Sequence, residues 1–172
     1  MSQRLPDHLD PWRFADLGKQ INGSLELKGF PRLAESLTDA EGEVEFELDF
    51  YRDGSRRACL RGRVKARLPL QCQRCLARME LPVDSAVSLA FVESLDEAER
   101  LPDDLDPQLV EEGRVNLRDL LEDELLLALP QVALHPQGEC APYVVDIGDK
   151  AERSEARANP FAVLEQLKRK DH

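Results

Sequence analysis

Histidine and aromatic side chains are scarce in this chain. Of 172 residues only three are histidine, and Phe, Trp and Tyr together make up 5%. A core drawn from such a sequence is mostly aliphatic, and a general-base histidine has few places to come from. No glycine-rich phosphate loop and no nucleophile elbow is present, so an enzyme and a small-molecule substrate are not expected. Long apolar runs are missing too. The greasiest stretch, LLLALPQVAL, contains a proline and is too short to span a bilayer. The opening MSQRLPDHLDPW has no apolar h-region, which predicts no signal peptide, no membrane partner and a cytoplasmic protein with reduced thiols.

Charge, by contrast, is plentiful. One third of the residues are charged and the formal net charge is −11, a balance that works against non-specific binding to nucleic acid. The two signs are segregated. Residues 54–78 hold eight basic side chains and no acidic one, whereas 93–112 hold nine acidic side chains and only Arg100.

Periodicity predicts the elements. Asp10-Pro11 reads as an N-cap followed by proline at N1 of a short amphipathic helix, and GSLELKGF as a short strand. EVEFELDFY alternates Val44, Phe46, Leu48 and Phe50 with Glu43, Glu45, Glu47 and Asp49, the pattern of a half-buried strand. Beyond Asp53-Gly54 the alternation resumes with Arg61, Arg63, Lys65 and Arg67 on the polar face. Matching apolar faces through an Asp53-Gly54-Ser55 loop sets Glu47 opposite Arg61, Glu45 opposite Arg63 and Glu43 opposite Lys65. A third strand, MELPVDSAVSLAFV, pairs about the cysteines, with Arg67 opposite Glu80, Arg63 opposite Asp84 and Leu68 opposite Met79. Pro82 suits an edge or a bulge. ESLDEAERLPDDLDPQ reads as a mobile surface loop. Asn116 caps LRDLLEDELLLALP, a leucine-rich helix stopped by Pro130, with Glu122, Asp123 and Glu124 on its wet face. The expected fold is therefore α+β: an antiparallel meander with a Cys-x-x-Cys hairpin tip, covered by that helix, plus short terminal helices. It occupies residues 1–142 as a single domain. Residues 143–172 are a linker and a short C-terminal helix capped by Asn159-Pro160.

Two stretches bear on chemistry. Cys72-x-x-Cys75, between two strands, offers one ion two sulfurs, and the loop after the helix offers His135 and Cys140. Cys72, Cys75, His135 and Cys140 would make a Cys3His zinc set, although His-x4-Cys is not a standard second knuckle. The alternatives are plain thiols at a tight turn, or a redox pair. A redox Cys-x-x-Cys usually opens a helix, and strand sequence flanks this one on both sides. Cys59, on the polar face of the basic strand, reads as an ordinary small residue. The basic stretch is the second candidate, for RNA. Its central cations face acids across the strands, which leaves Arg56, Arg57, Arg74 and Arg78 unpaired. No aromatic stacking platform accompanies them.

The chain resembles the YceD family, bacterial and chloroplast proteins implicated in the accumulation of large-subunit ribosomal RNA. The resemblance runs almost end to end. It rests on LDP at 9–11, LQCQRC at 70–75, LLEDELLLALP at 120–130, His135 with Cys140, and NPFAVLEQLK at 159–168. Many relatives place several cysteines after the Leu-Pro that ends the helix, where this chain has His135 and Cys140. The resemblance implies ribosome biogenesis without catalysis: support for large-subunit rRNA through binding of an assembly intermediate. The partner is then rRNA itself or its precursor particle, reached in one version through a basic ribosomal protein that meets the acidic run. RNA contact would fall to Arg74, Arg78, Lys168, Arg169 and Lys170. Competing readings are a structural zinc-bearing interaction module with partners outside the ribosome, and a Cys-x-x-Cys redox protein.

Overall fold

Acids alternating with apolar residues drive an extended chain with one dry face. Strand β3 (Glu43–Arg52) accordingly buries Val44, Phe46, Leu48 and Phe50 and exposes Glu43, Glu45 and Glu47. This is the centre of a computed structural model that describes residues 8–110 and 112–140. β4 (Ala58–Gln71) and β5 (Arg78–Val92) continue the antiparallel run, with the basic β4 between its two neighbours. β2 (Gln20–Glu26) adds antiparallel to β3, and β6 (Asp106–Leu109) adds parallel to β5, giving the order β2-β3-β4-β5-β6. A separate two-stranded ladder joins β1 (His8–Leu9) to β7 (Val115–Asn116).

Capping chemistry sets the helix starts. Asp10 Oδ1 accepts from the Arg13 N–H at 3.0 Å, with Pro11 in the first turn of α1 (Pro11–Asp16). Ser94 caps α3 (Leu95–Ala98), and Asn116 Oδ1 accepts from the Arg118 N–H at 2.9 Å to open α4 (Leu117–Leu127). α2 (Pro31–Ala34) is a single turn. Of these helices only α4 is long, and it buries Leu117, Leu120, Leu121 and Leu125 in one cluster with the inner faces of β3, β4 and β5. Each such leucine is worth about 1.5–3 kcal/mol on burial. Phe50 stacks on Phe91 at 6.0 Å and meets Phe14 edge-on at 5.3 Å, so three of the nine aromatics sit together. No helix among the described residues is long and apolar enough to cross a membrane.

Several expectations need correcting. The predicted three-residue β3–β4 loop is in fact five residues, 53–57. Asp53 Oδ1 accepts from the N–H groups of Ser55 and Arg57, both at 2.8 Å, and Arg56 turns through φ 65°. The ladder therefore moves by two residues, pairing Glu45 with Lys65, Glu47 with Arg63 and Asp49 with Arg61. The β4–β5 hairpin shifts in the same way, to Lys65 with Asp84, Arg67 with Pro82 and Leu70 with Met79, because its tip is six residues long. Both predicted parities hold, so the faces are right. Two of the predicted charge pairs survive as diagonals, Arg63–Asp84 at 3.0 Å and Arg67–Glu80 at 3.8 Å. The acidic stretch is not all loop, since it contains α3 and strand β6. The predicted strand at GSLELKGF starts earlier, at Gln20, and gives way to a 3-10 turn at Leu27–Gly29.

Four residues differ individually from expectation. Cys59 is fully buried between its cross-strand neighbours Tyr51 and Ala90, and burial pushes its thiol up. Glu122 is not on a wet face: it is 2% exposed, and accepts from Arg32 Nε at 2.8 Å and from the Leu33 N–H at 3.0 Å. Arg57 and Arg78 are not unpaired either. Arg57 binds Asp53 at 2.7 Å, while Arg78 binds Asp39 at 2.9 Å and Glu80 at 3.1 Å.

Candidate metal centre

The β4–β5 ladder closes on Gln71 and Arg78, leaving residues 72–77 as its tip. Cys72 N–H donates to the Ala77 carbonyl at 2.9 Å, and Leu76 N–H donates to the Cys72 carbonyl at 2.8 Å. To close this turn Leu76 adopts φ 59°, a left-handed conformation that a Cβ disfavours. Cys72 is buried against Leu70 and Met79, in a small apolar cluster set apart from the main core.

The segment after α4 comes back to this tip. Gln73 N–H donates to the Ala133 carbonyl at 2.8 Å, and Arg74 donates to the His135 carbonyl at 3.1 Å. His135 N–H points at Cys72 Sγ, 3.4 Å away. The result brings Cys72, Cys75, His135 and Cys140 together, with their ligand atoms all within 4.8 Å of one another. Cys72 Sγ lies 3.8 Å from Cys140 Sγ, and His135 Nδ1 lies 3.3 Å from Cys75 Sγ and 3.9 Å from Cys140 Sγ.

Those spacings can be tested against an ion. Two sulfurs each about 2.3 Å from a tetrahedral zinc sit roughly 3.8 Å apart, and a sulfur and an imidazole nitrogen roughly 3.5 Å apart. The separations of 3.3, 3.8 and 3.9 Å lie close to those values, within a set whose ligand atoms all fall inside 4.8 Å. The cluster does not fit a disulfide, whose sulfurs are about 2.05 Å apart, and all four cysteines are free. Use of Nδ1 as a ligand requires the neutral tautomer with its proton on Nε2.

Electrostatics separate the thiols. Burial alone would raise Cys72, but the N–H groups of His135, Cys75 and Arg74 and the Cys75 thiol outweigh it and bring it down to about 5. Cys140 moves the other way, pushed up to about 11 by burial and by its Cys75 and Cys72 neighbours. A lowered Cys72 is also what a redox pair needs. Here, however, the motif caps a hairpin instead of opening a helix, and Cys75 leans toward His135.

The RNA candidates divide. Arg74 is committed to the rim of the cluster and Arg78 to Asp39 and Glu80, while Lys168, Arg169 and Lys170 lie outside the described residues, as do the domain boundary at 142 and the predicted C-terminal helix. Two residues escaped the sequence reading. Leu76 carries no signal of its left-handed turn. Glu122 does carry one, because it precedes Leu125 by three positions and Leu129 by seven, on the apolar side of the helix.

The class these features define is a mixed α+β domain with a Cys3His cluster at one end of a mostly antiparallel sheet. A family model described as Large ribosomal RNA subunit accumulation protein YceD matches residues 60–168. A relative of the same description from Haemophilus influenzae is 31% identical over 170 residues, covering 97% of this chain and 98% of the relative. The chain belongs to the YceD family, which is named for an accumulation factor and not for an enzyme. No solved structure matches it.

Proposed function

We propose that this protein is a non-enzymatic factor that supports the accumulation of large-subunit ribosomal RNA by binding an assembly intermediate in the cytoplasm. Membership of the YceD family across nearly the whole chain carries this reading. The partner is the rRNA precursor particle, met either through rRNA or through a basic ribosomal protein. In this reading zinc is the ion of Cys72, Cys75, His135 and Cys140, and residues 1–142 form the binding domain with 143–172 as its arm. The close grouping of the four ligand atoms favours a structural ion over a redox pair, because a four-ligand set leaves no open position for substrate. The same grouping equally suits an interaction module with partners outside the ribosome.

The ratio of large- to small-subunit rRNA, measured in cells lacking the protein and in complemented cells, separates these readings. A selective fall in large-subunit rRNA that the wild-type chain restores supports ribosome assembly. An unchanged ratio removes that reading and leaves the interaction module.

A further inference from the structure

We infer that the zinc site is a latch, one whose occupancy decides whether the segment 130–140 stays docked on the hairpin tip. The inference rests on the zinc assignment above and goes beyond it, to what the ion does. The segment contains no helix and no strand, and most of it is exposed, Val132 and Leu134 included, at 57% and 44%. Only Ala133, His135 and Cys140 are partly covered. Its hydrogen bonds to the rest of the domain converge on residues 72–75: Gln73 to Ala133, Arg74 to His135, His135 to Cys72 Sγ, and the sulfur contacts of Cys75 with His135 Nδ1 and of Cys72 with Cys140. Little apolar burial therefore holds this stretch, and nothing regular does.

Without an ion, the three sulfurs and Nδ1 at 3.3–3.9 Å make only weak sulfur contacts. With one, two chain segments about sixty residues apart in sequence share four coordinate bonds, and the binding free energy becomes free energy of docking. Backbone N–H groups already aimed at Cys72 Sγ and the Arg74 contact to the His135 carbonyl serve as the outer shell that orients the ligands. Beneath the segment lies the small cluster of Leu70, Met79 and Cys72, flanked by Leu129 and Ala133. Opening the latch uncovers that cluster, so metal loss changes the surface at this end of the sheet while leaving the main core intact.

The experiment uses the full chain, purified under reducing conditions without added metal. Zinc content is measured by elemental analysis and native mass spectrometry, and amide hydrogen exchange is followed before chelation, after it, and after zinc is returned. The expected result is an equimolar zinc content, with exchange over 130–140 and 72–77 rising about tenfold or more on chelation and recovering with zinc, while β3 and the centre of β4 stay protected. Cys140→Ser should lower zinc content and reproduce the chelated pattern, whereas Cys59→Ala should keep the zinc. Equimolar zinc with unchanged exchange on its removal overturns the latch and leaves the zinc assignment standing. Absence of zinc, with none taken up on titration, overturns both. Neither result bears on the rRNA ratio, so the ribosomal reading is judged separately.

Discussion

Among the described residues Glu122 is the charged side chain held in the core, and its partners explain why. One carboxylate oxygen accepts from the Leu33 N–H and the other from Arg32, which also reaches Asp123 at 2.7 Å. Together they fasten the single turn of α2 to the long helix α4. Glu122→Ala leaves the buried Leu33 N–H without an acceptor, a loss of about 1–3 kcal/mol. Glu122→Gln keeps an acceptor and gives up only the charge, so its loss should be smaller. Urea unfolding of both variants checks this. Equal losses would show that the charge on Arg32, and not the Leu33 amide, is what Glu122 serves. The sequence made this residue look wet because it sits among Asp123 and Glu124; its position relative to Leu125 and Leu129 was the better guide.

At the scale of elements, alternation carried most of the information and turn length the least. The faces of β3, β4 and β5 were legible because a one-residue slip would have placed arginines in the core. A two-residue slip leaves every face unchanged, so nothing in the alternation opposed it. What decides between such registers is the loop: the Asp53 carboxylate folding over its own backbone, and the left-handed Leu76 at the cysteine tip. The parallel strand β6 was hidden for a different reason, since a four-residue strand beginning Asp-Pro in an acidic run has no periodicity to read. The Cys3His cluster was legible as a set of residue types, but its closure depends on a structureless loop returning to a hairpin. Leu76 yields a direct test of the tip. It is 53% exposed and gains little from its side chain, so Leu76→Gly should relieve the left-handed conformation and raise thermal stability by about 1 kcal/mol. A loss of stability instead would mean that the Leu76 side chain contributes packing that outweighs its backbone cost.

Over the whole molecule, what matters is where opposite charges meet and where they do not. Across the outer sheet face the basic residues have acids beside them: Asp49 holds Arg61 at 2.8 Å, Asp84 holds Arg63 and Glu80 holds Arg67. Exposed pairs like these contribute only about 0–1 kcal/mol each, but they cancel the field a phosphate backbone would feel. The acidic stretch differs. Glu93, Asp96, Glu97, Glu99, Asp103, Asp104 and Asp106 are all exposed, and none takes part in the salt bridges found among the described residues. A field of one sign that the fold itself does not neutralise steers basic partners and repels nucleic acid, in a manner that salt weakens. If the assembly intermediate is met through a basic protein, replacing these seven acids by their amides should abolish co-sedimentation with large-subunit precursor particles. Neutralising Arg74, Arg78, Lys168, Arg169 and Lys170 should then leave it intact. Direct rRNA contact predicts the reverse. Of the described cations in the second set, Arg78 is already committed to Asp39 and Glu80, so the charge pattern favours the first outcome. Association that survives both substitutions would remove electrostatic docking by either route.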